Sequence, residues 1–289
     1  MSIKKIINKS VVLYTLYIFI TGLFFLWYLF PSDYFAGYIE KAVAANVKGV
    51  AIEIGAVKPS FPAGVKLTDV NVIVSSIGQP IKLDYIKAKA GLLSLIKFAP
   101  EISLSTGLFG GRVKGRIKVP EGNVNNLTVT DISVKGLNLE SVSALASEKL
   151  PGYSLKGRLN ATGEYSASGR GHGKIGIDLT DIIIKRDEPF LTLESLTFSN
   201  VKADIEVKSK RIDIKECVIT GKEFDGSIKG PVVFKQPFGR TVLRLSGTFK
   251  PEKEFAETMP LDIVFKKKVK PGEEQKFRIT GTVNKPRFK

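Results

Sequence analysis

The chain of 289 residues has one cysteine, Cys217, and one histidine, His172. A single thiol excludes an internal disulfide framework and every multi-thiolate metal centre, and a single imidazole excludes any site that needs two. Acidic residues are also in the minority, 28 against 44 Lys and Arg, for a formal net charge of +16. That excess points toward anionic partners such as membrane surfaces, nucleic acid or acidic glycans, without choosing among them. With 43% hydrophobic and 25% charged residues the composition is that of a chain that folds.

Charge is missing altogether between Lys9 and Asp33, where Val11 to Phe30 is almost wholly apolar and aromatic. Twenty residues at about 1.5 Å of rise cover the roughly 30 Å hydrocarbon core of a bilayer, and Trp27 and Tyr28 suit its aromatic interface. The segment 11–30 therefore reads as a transmembrane helix. Lys4, Lys5 and Lys9 precede it without an acid, which holds residues 1–10 in the cytoplasm and sends the remainder across. Residues 31–48 have helical spacing (Phe35, Tyr38, Ile39, Ala42, Val43) and read as a short linker before a domain over 49–289. A cleaved signal peptide is the competing reading, because Ala42-Val43-Ala44 has the look of a cleavage site. Asp33, Glu40 and Lys41 between the apolar run and that site favour an uncleaved anchor. Without the three N-terminal lysines the exported part holds 41 basic and 28 acidic residues. A basic periplasmic domain behind a bacterial inner-membrane anchor makes nucleic acid a poor partner and leaves anionic lipid a possible one.

From residue 49 onward the apolar pattern has period two. Val201, Ala203, Ile205 and Val207 alternate with Lys202, Asp204, Glu206 and Lys208, and Val113, Gly115, Ile117 and Val119 alternate with Arg112, Lys114, Arg116 and Lys118. Each run makes a strand with one dry and one wet face. Turn signals such as Gly110-Gly111, Pro120-Glu121-Gly122, Pro151-Gly152 and Pro271-Gly272 separate the runs, and no long linker divides them. The expected fold is mainly β: a curved, mostly antiparallel sheet, a half-open barrel or trough, with short helices at Gly91–Phe98 and Glu140–Leu150.

A weak repeat of the form apolar, polar, Gly, any residue, apolar recurs around Gly115, Gly157, Gly230, Gly247 and Gly281. Each glycine has the parity of the dry face, so it removes packing volume there. Such positions serve either a bend or bulge of the sheet itself or the close approach of an acyl chain, a helix or a partner's strand. A second echo, Leu67-Thr68-Asp69-Val70, Val129-Thr130-Asp131-Ile132 and Leu179-Thr180-Asp181-Ile182, suggests duplicated strand pairs.

No residue presents itself for catalysis, for a cofactor or for a metal. His172 lies in Ser168-Gly169-Arg170-Gly171-His172-Gly173, which lacks the Lys-Ser/Thr ending of a phosphate-binding loop and reads as a solvated turn. Cys217 sits in a strand-like run and reads as structural. The acids are scattered over turns and wet faces with no evident general acid/base pair. Lys266-Lys267-Lys268-Val269-Lys270 reads as a solvated hairpin end whose like charges discourage edge pairing, or as a contact for anionic headgroups.

The anchor, the opening Val57-Lys58-Pro59-Ser60-Phe61-Pro62-Ala63-Gly64-Val65-Lys66-Leu67-Thr68-Asp69-Val70, the Gly-centred strands and the closing Ile279-Thr280-Gly281-Thr282-Val283-Asn284-Lys285-Pro286 together resemble the type II secretion system protein N family. More distantly the chain resembles the AsmA-like periplasmic proteins. The first resemblance implies a non-enzymatic inner-membrane accessory subunit of the machine that exports folded proteins, with other secretion subunits as partners. The second implies a groove that handles phospholipid. Better-known protein N members carry a Trp in a Gly-rich segment after the Pro-rich opening; here the only Trp is Trp27, in the apolar run.

Overall fold

The computed structural model describes residues 9–61, 63–75, 78–91, 101–118, 127–146, 152–168, 171–190, 193–262 and 269–288; the side chains of 9, 10, 23, 26, 146, 186–190 and 193–194 are outside that description. The chain divides into two compact units, Met1–Lys89 and Ala90–Lys289.

The first unit opens with helix α1 (Lys9–Tyr28), followed by α2 (Ser32–Asn46) and strands β1 (Val50–Pro59), β2 (Gly64–Val74) and β3 (Pro80–Ala90). Most of the described side chains of α1 stand exposed, among them Leu13, Ile18, Phe19 and Trp27. Among the described residues no helix is long and apolar enough to cross a membrane. The three strands pair antiparallel in chain order. Helix α2 lies along β1, where its polar side chains take the place of a neighbouring strand: Ser32 Oγ accepts from the Val57 amide at 2.8 Å and Glu40 Oε1 from the Ile54 amide at 2.7 Å. An edge of unpaired amides is thereby covered, and Ala36 packs inward with Ile54, Val57, Leu67, Val70 and Leu83 as the buried core of this unit.

The second unit is strand after strand, as its alternation predicts. It comprises β4 (Glu101–Leu108), β5 (Gly111–Lys118), β6 (Thr128–Asn138), helix α3 (Leu139–Ala146), β7 (Tyr153–Ser166), β8 (His172–Phe190), β9 (Leu193–Lys208), β10 (Arg211–Gly221), β11 (Phe224–Val233), β12 (Val242–Pro251), helix α4 (Lys253–Thr258), β13 (Gln275–Thr282) and β14 (Lys285–Phe288). Every strand from β4 to β14 hydrogen-bonds antiparallel to its chain neighbours. A meander of this kind needs only local turns, which is why turn residues recur between the runs.

Of the two short helices expected, the one at Glu140–Leu150 is found as α3, while Gly91–Phe98 falls outside the described residues apart from Gly91. Helix α3 packs on β7, where Ser143 Oγ accepts from the Leu155 amide at 3.5 Å and Leu139 is buried. Helix α4 was not foreseen. Its Phe255 joins Phe224 and Phe249 at centroid distances of 5.9 and 6.4 Å, and Phe198 stacks edge-on against Phe224 at 5.2 Å, closing one end of the dry face.

Candidate functional site

Residues opposite one another in an antiparallel pair share a face, so the register fixes the composition of both sides of the second unit's sheet. One row can be followed from strand to strand: Leu159 faces Leu179, Leu179 faces Val201, and Val201 faces Ile219. The next runs Ala161, Ile177, Ala203, Cys217, Ile228, Gly247 and Phe277. Carried from Ile102 and Leu104 on β4 to Phe288 on β14, the dry side holds one charged register position, Arg186 opposite Tyr153 toward the far end of β8; Thr106, Tyr153, Tyr165 and Gln275 are its other polar members. At its centre Ile175, Ile177, Val201, Ile205 and Ile214 are half-buried, whereas full burial is found at Ile182, Phe198 and Phe249 near the aromatic end and at Leu137 on β6. Neighbouring side chains shelter this face, and among the described residues no second layer covers it.

The glycine repeat serves the sheet's own geometry at four of its positions. Gly157 and Gly230 have φ of +135° and +132°, a region unfavourable to any residue with a Cβ, and Gly281 has +97°. At Gly247 a Cβ would fall on the Ser227 carbonyl and the Phe277 ring. Gly115 alone meets no such demand; its Cβ would lie 3.6 Å from Val129.

The second echo has a sharper explanation. Asp69, Asp131 and Asp181 all adopt left-handed backbone, with φ of +52°, +52° and +54°. Aspartate is among the few residues with a side chain that tolerate this conformation. Each aspartate sets the next apolar residue three positions from the last one on the dry side rather than two, so that Leu67 and Val70, Val129 and Ile132, and Leu179 and Ile182 share a face. The β8 crease continues into its neighbours: Gly157 lies against the Thr180 and Asp181 carbonyls, and the register shifts again at Gly221 on β10. The echo is a repeated bulge that bends the strands.

The polar face carries the charges and the grooves. One groove of about 900 Å³ lies over β6–β10, lined by Thr162, Glu164, Lys174, Asp204, Glu206 and Lys215 among others. Several cations of this face are paired: Glu206 takes Lys208 at 3.0 Å and Lys215 at 3.1 Å, Arg211 meets Asp213 at 2.6 Å, and Arg116 meets Glu101 at 3.0 Å and Asp131 at 3.3 Å. The hydrogen bonds from Lys208 and then Lys215 hold the Glu206 carboxyl below the usual carboxylate range. A second groove of about 750 Å³ lies over β10–β13. The glycine-bearing dry face is where a groove was expected; these two lie on the opposite side.

The remaining residues singled out by sequence do not converge. His172 is exposed at the start of β8, opposite Ser166 and Lys208. Cys217 lies half-buried on the dry face between Ala203 and Ile228, and burial raises its thiol pKa. That favours the protonated, unreactive form. Lys266–Lys268 fall outside the described residues, while Lys270 meets Glu273 at 3.2 Å. Among the described residues no group of three or more His, Cys, Asp or Glu side chains is placed to hold a metal. No protein-family model, no curated protein and no solved structure matches this chain.

Proposed function

We propose that this chain is a non-enzymatic component of the bacterial cell envelope, anchored in the inner membrane by α1 and acting through contacts made by its periplasmic sheet. The observation that carries the reading is the dry face: eleven consecutive strands with one charged inward register position, Arg186 toward the far end of β8. A face left to water tolerates Lys and Glu, so their near-exclusion from so wide a surface argues for an apolar occupant. The anchor rests on the sequence. Leu23 and Leu26, whose side chains are not described, complete an uncharged run from Ser10 to Ser32, and α1 extends over 20 residues, about 30 Å of rise.

The resemblance to the type II secretion protein N family gives the occupant as another secretion subunit, reached through the face or an open strand edge. The β14 edge is a poor candidate for strand addition, because Lys285, Pro286 and Arg287 guard it with two charges and a missing amide. The face is therefore the contact this reading assigns. A second reading, an AsmA-like groove for phospholipid, draws on the same near-absence of charge, since acyl chains bring no polar partner of their own.

In-cell photo-crosslinking from Val232, which lies on the dry face between Ile212 and Leu243, separates them. Adducts to secretion subunits identified by mass spectrometry are the expected result. Phospholipid adducts without a protein partner would replace the secretion reading with the lipid one, and an absence of adducts from several dry-face positions would remove both.

A further inference from the structure

Some cations on the polar face have an acidic partner and others do not. From β4 to β10, Arg116, Lys118, Lys208, Arg211 and Lys215 each have a carboxylate within 4 Å, whereas Arg112, Lys114, Lys174 and Lys202 have none among the described residues. From β11 to β14, Lys229, Arg244, Arg278 and Arg287 are all exposed, and among the described residues none has an acidic partner. The register arranges them in rows with a hydroxyl between. Lys229 and Arg278 flank Ser246, and Arg244 and Arg287 flank Thr280. In a third row Ser227, Thr248 and Lys276 lie side by side, with the two hydroxyls 2.9 Å apart.

Strands about 4.8 Å apart put the two cations of a row roughly 10 Å from each other with the hydroxyl midway. That spacing avoids the direct cross-strand apposition of like charges, which is destabilising. It also leaves guanidinium and ammonium donors pointing from both sides over a shallow floor of hydroxyl groups. The groove of about 750 Å³ that lies there is lined by Lys229, Ser246, Thr248, Lys276 and Arg278, with Glu216 as an acid at its border. Guanidinium forks and hydroxyl donors together suit phosphate oxygens better than a single carboxylate, which cannot span both sides.

We propose that the polar face of β11–β14 is a binding site for phosphate groups, presented by an anionic lipid headgroup or as a free phosphate anion. The site lies on the side opposite the dry face and does not depend on what occupies that face. Lys118 on β5, whose charge Glu101 already meets at 3.6 Å, serves as its internal control.

The test is isothermal titration calorimetry of the full chain in non-ionic detergent micelles. The three titrants are inorganic pyrophosphate, mixed micelles containing short-chain phosphatidylglycerol, and a poly-glutamate peptide. Saturable binding of pyrophosphate assigns the site to free phosphate anions; binding of phosphatidylglycerol alone assigns it to headgroups. In either case Lys229→Gln with Arg278→Gln is expected to weaken binding by at least about tenfold, the scale of losing charge-assisted hydrogen bonds, while Lys118→Gln leaves it unchanged. All these side chains are exposed, and far-ultraviolet circular dichroism of each variant checks that the sheet persists. Equal losses in site and control variants, no binding of either phosphate probe, or binding of poly-glutamate as tight as that of the phosphates would overturn the proposal.

Discussion

The two faces of the second unit's sheet are built from the same strands under opposite rules. On the polar side acids and bases mix freely, ion pairs bridge neighbouring strands, and grooves form between long side chains. On the dry side Arg186, toward the far end of β8, is the one charged register position from β4 to β14, yet most of its described side chains are only half-buried. In a two-layer protein such a face is exhausted by the second layer, and its burial is what holds the fold together. Here burial sufficient for a core is concentrated where Phe198, Phe224, Phe249 and Phe255 meet, and the rest of the face is available. The difference teaches that apolar patterning in this chain does two jobs, holding one end of the sheet and offering the remainder to an occupant.

The largest effects are expected where the dry face is a true core. Ile182→Ala and Phe198→Ala, at 3% and 6% exposure, should lower the unfolding free energy by about 2–4 kcal/mol in chemical denaturation. Lys174→Gln on the polar side should stay within about 0.5 kcal/mol. Equal effects on both faces would break the comparison.

Next come the bends. Gly157→Ala forces a Cβ into φ +135° against the Thr180 carbonyl and should cost about 1–3 kcal/mol, whereas Gly115→Ala, with ordinary space around it, should be near neutral. Asp181→Val should cost about 1–2 kcal/mol through its left-handed backbone while Asp181→Gly is tolerated. Thermal midpoints of the four variants sharpen the assignment of both repeats to the sheet's own geometry.

The smallest effect is the pH dependence on the polar side. Glu206 is held below its ordinary pKa by Lys208 and Lys215, so its contribution is present above the unfolded-state value and is lost as pH falls through the lower folded one. Glu206→Gln should lower neutral-pH stability slightly and flatten that part of the acid limb, so that variant and parent converge at low pH in pH-dependent denaturation. Because the pair faces water, added salt should shrink the difference further.

Much of this was legible in the sequence. The period-two alternation of Val201 to Lys208 and of Arg112 to Lys118 identified both strand and facing, because side chains of a strand alternate until a bulge intervenes. The bulges were visible only as echoes. Thr180-Asp181-Ile182 could be seen to recur, but the left-handed φ that gives the echo its meaning depends on pairing with β7 and β9, which no single strand encodes. Helix α4 was missed because Lys253–Thr258 is too short to show a period, and it is held by Phe255 against a cluster assembled from β11 and β12. The grouping of cations and hydroxyls on the polar face was illegible for the same reason: Lys229, Ser246 and Arg278 become neighbours only through register.

The account rests most directly on the dry face being covered in the cell. In a Cys217→Ser background, Ile177→Cys places a thiol on that face and Asp178→Cys places one beside it on the polar side. Labelling with a membrane-impermeant maleimide, in intact spheroplasts and on the purified full chain in neutral detergent, compares the two. The account predicts that Asp178→Cys labels in both settings, whereas Ile177→Cys is protected in spheroplasts and labels once purified. Equal labelling of Ile177→Cys in the two settings would show a face that nothing occupies and would contradict it.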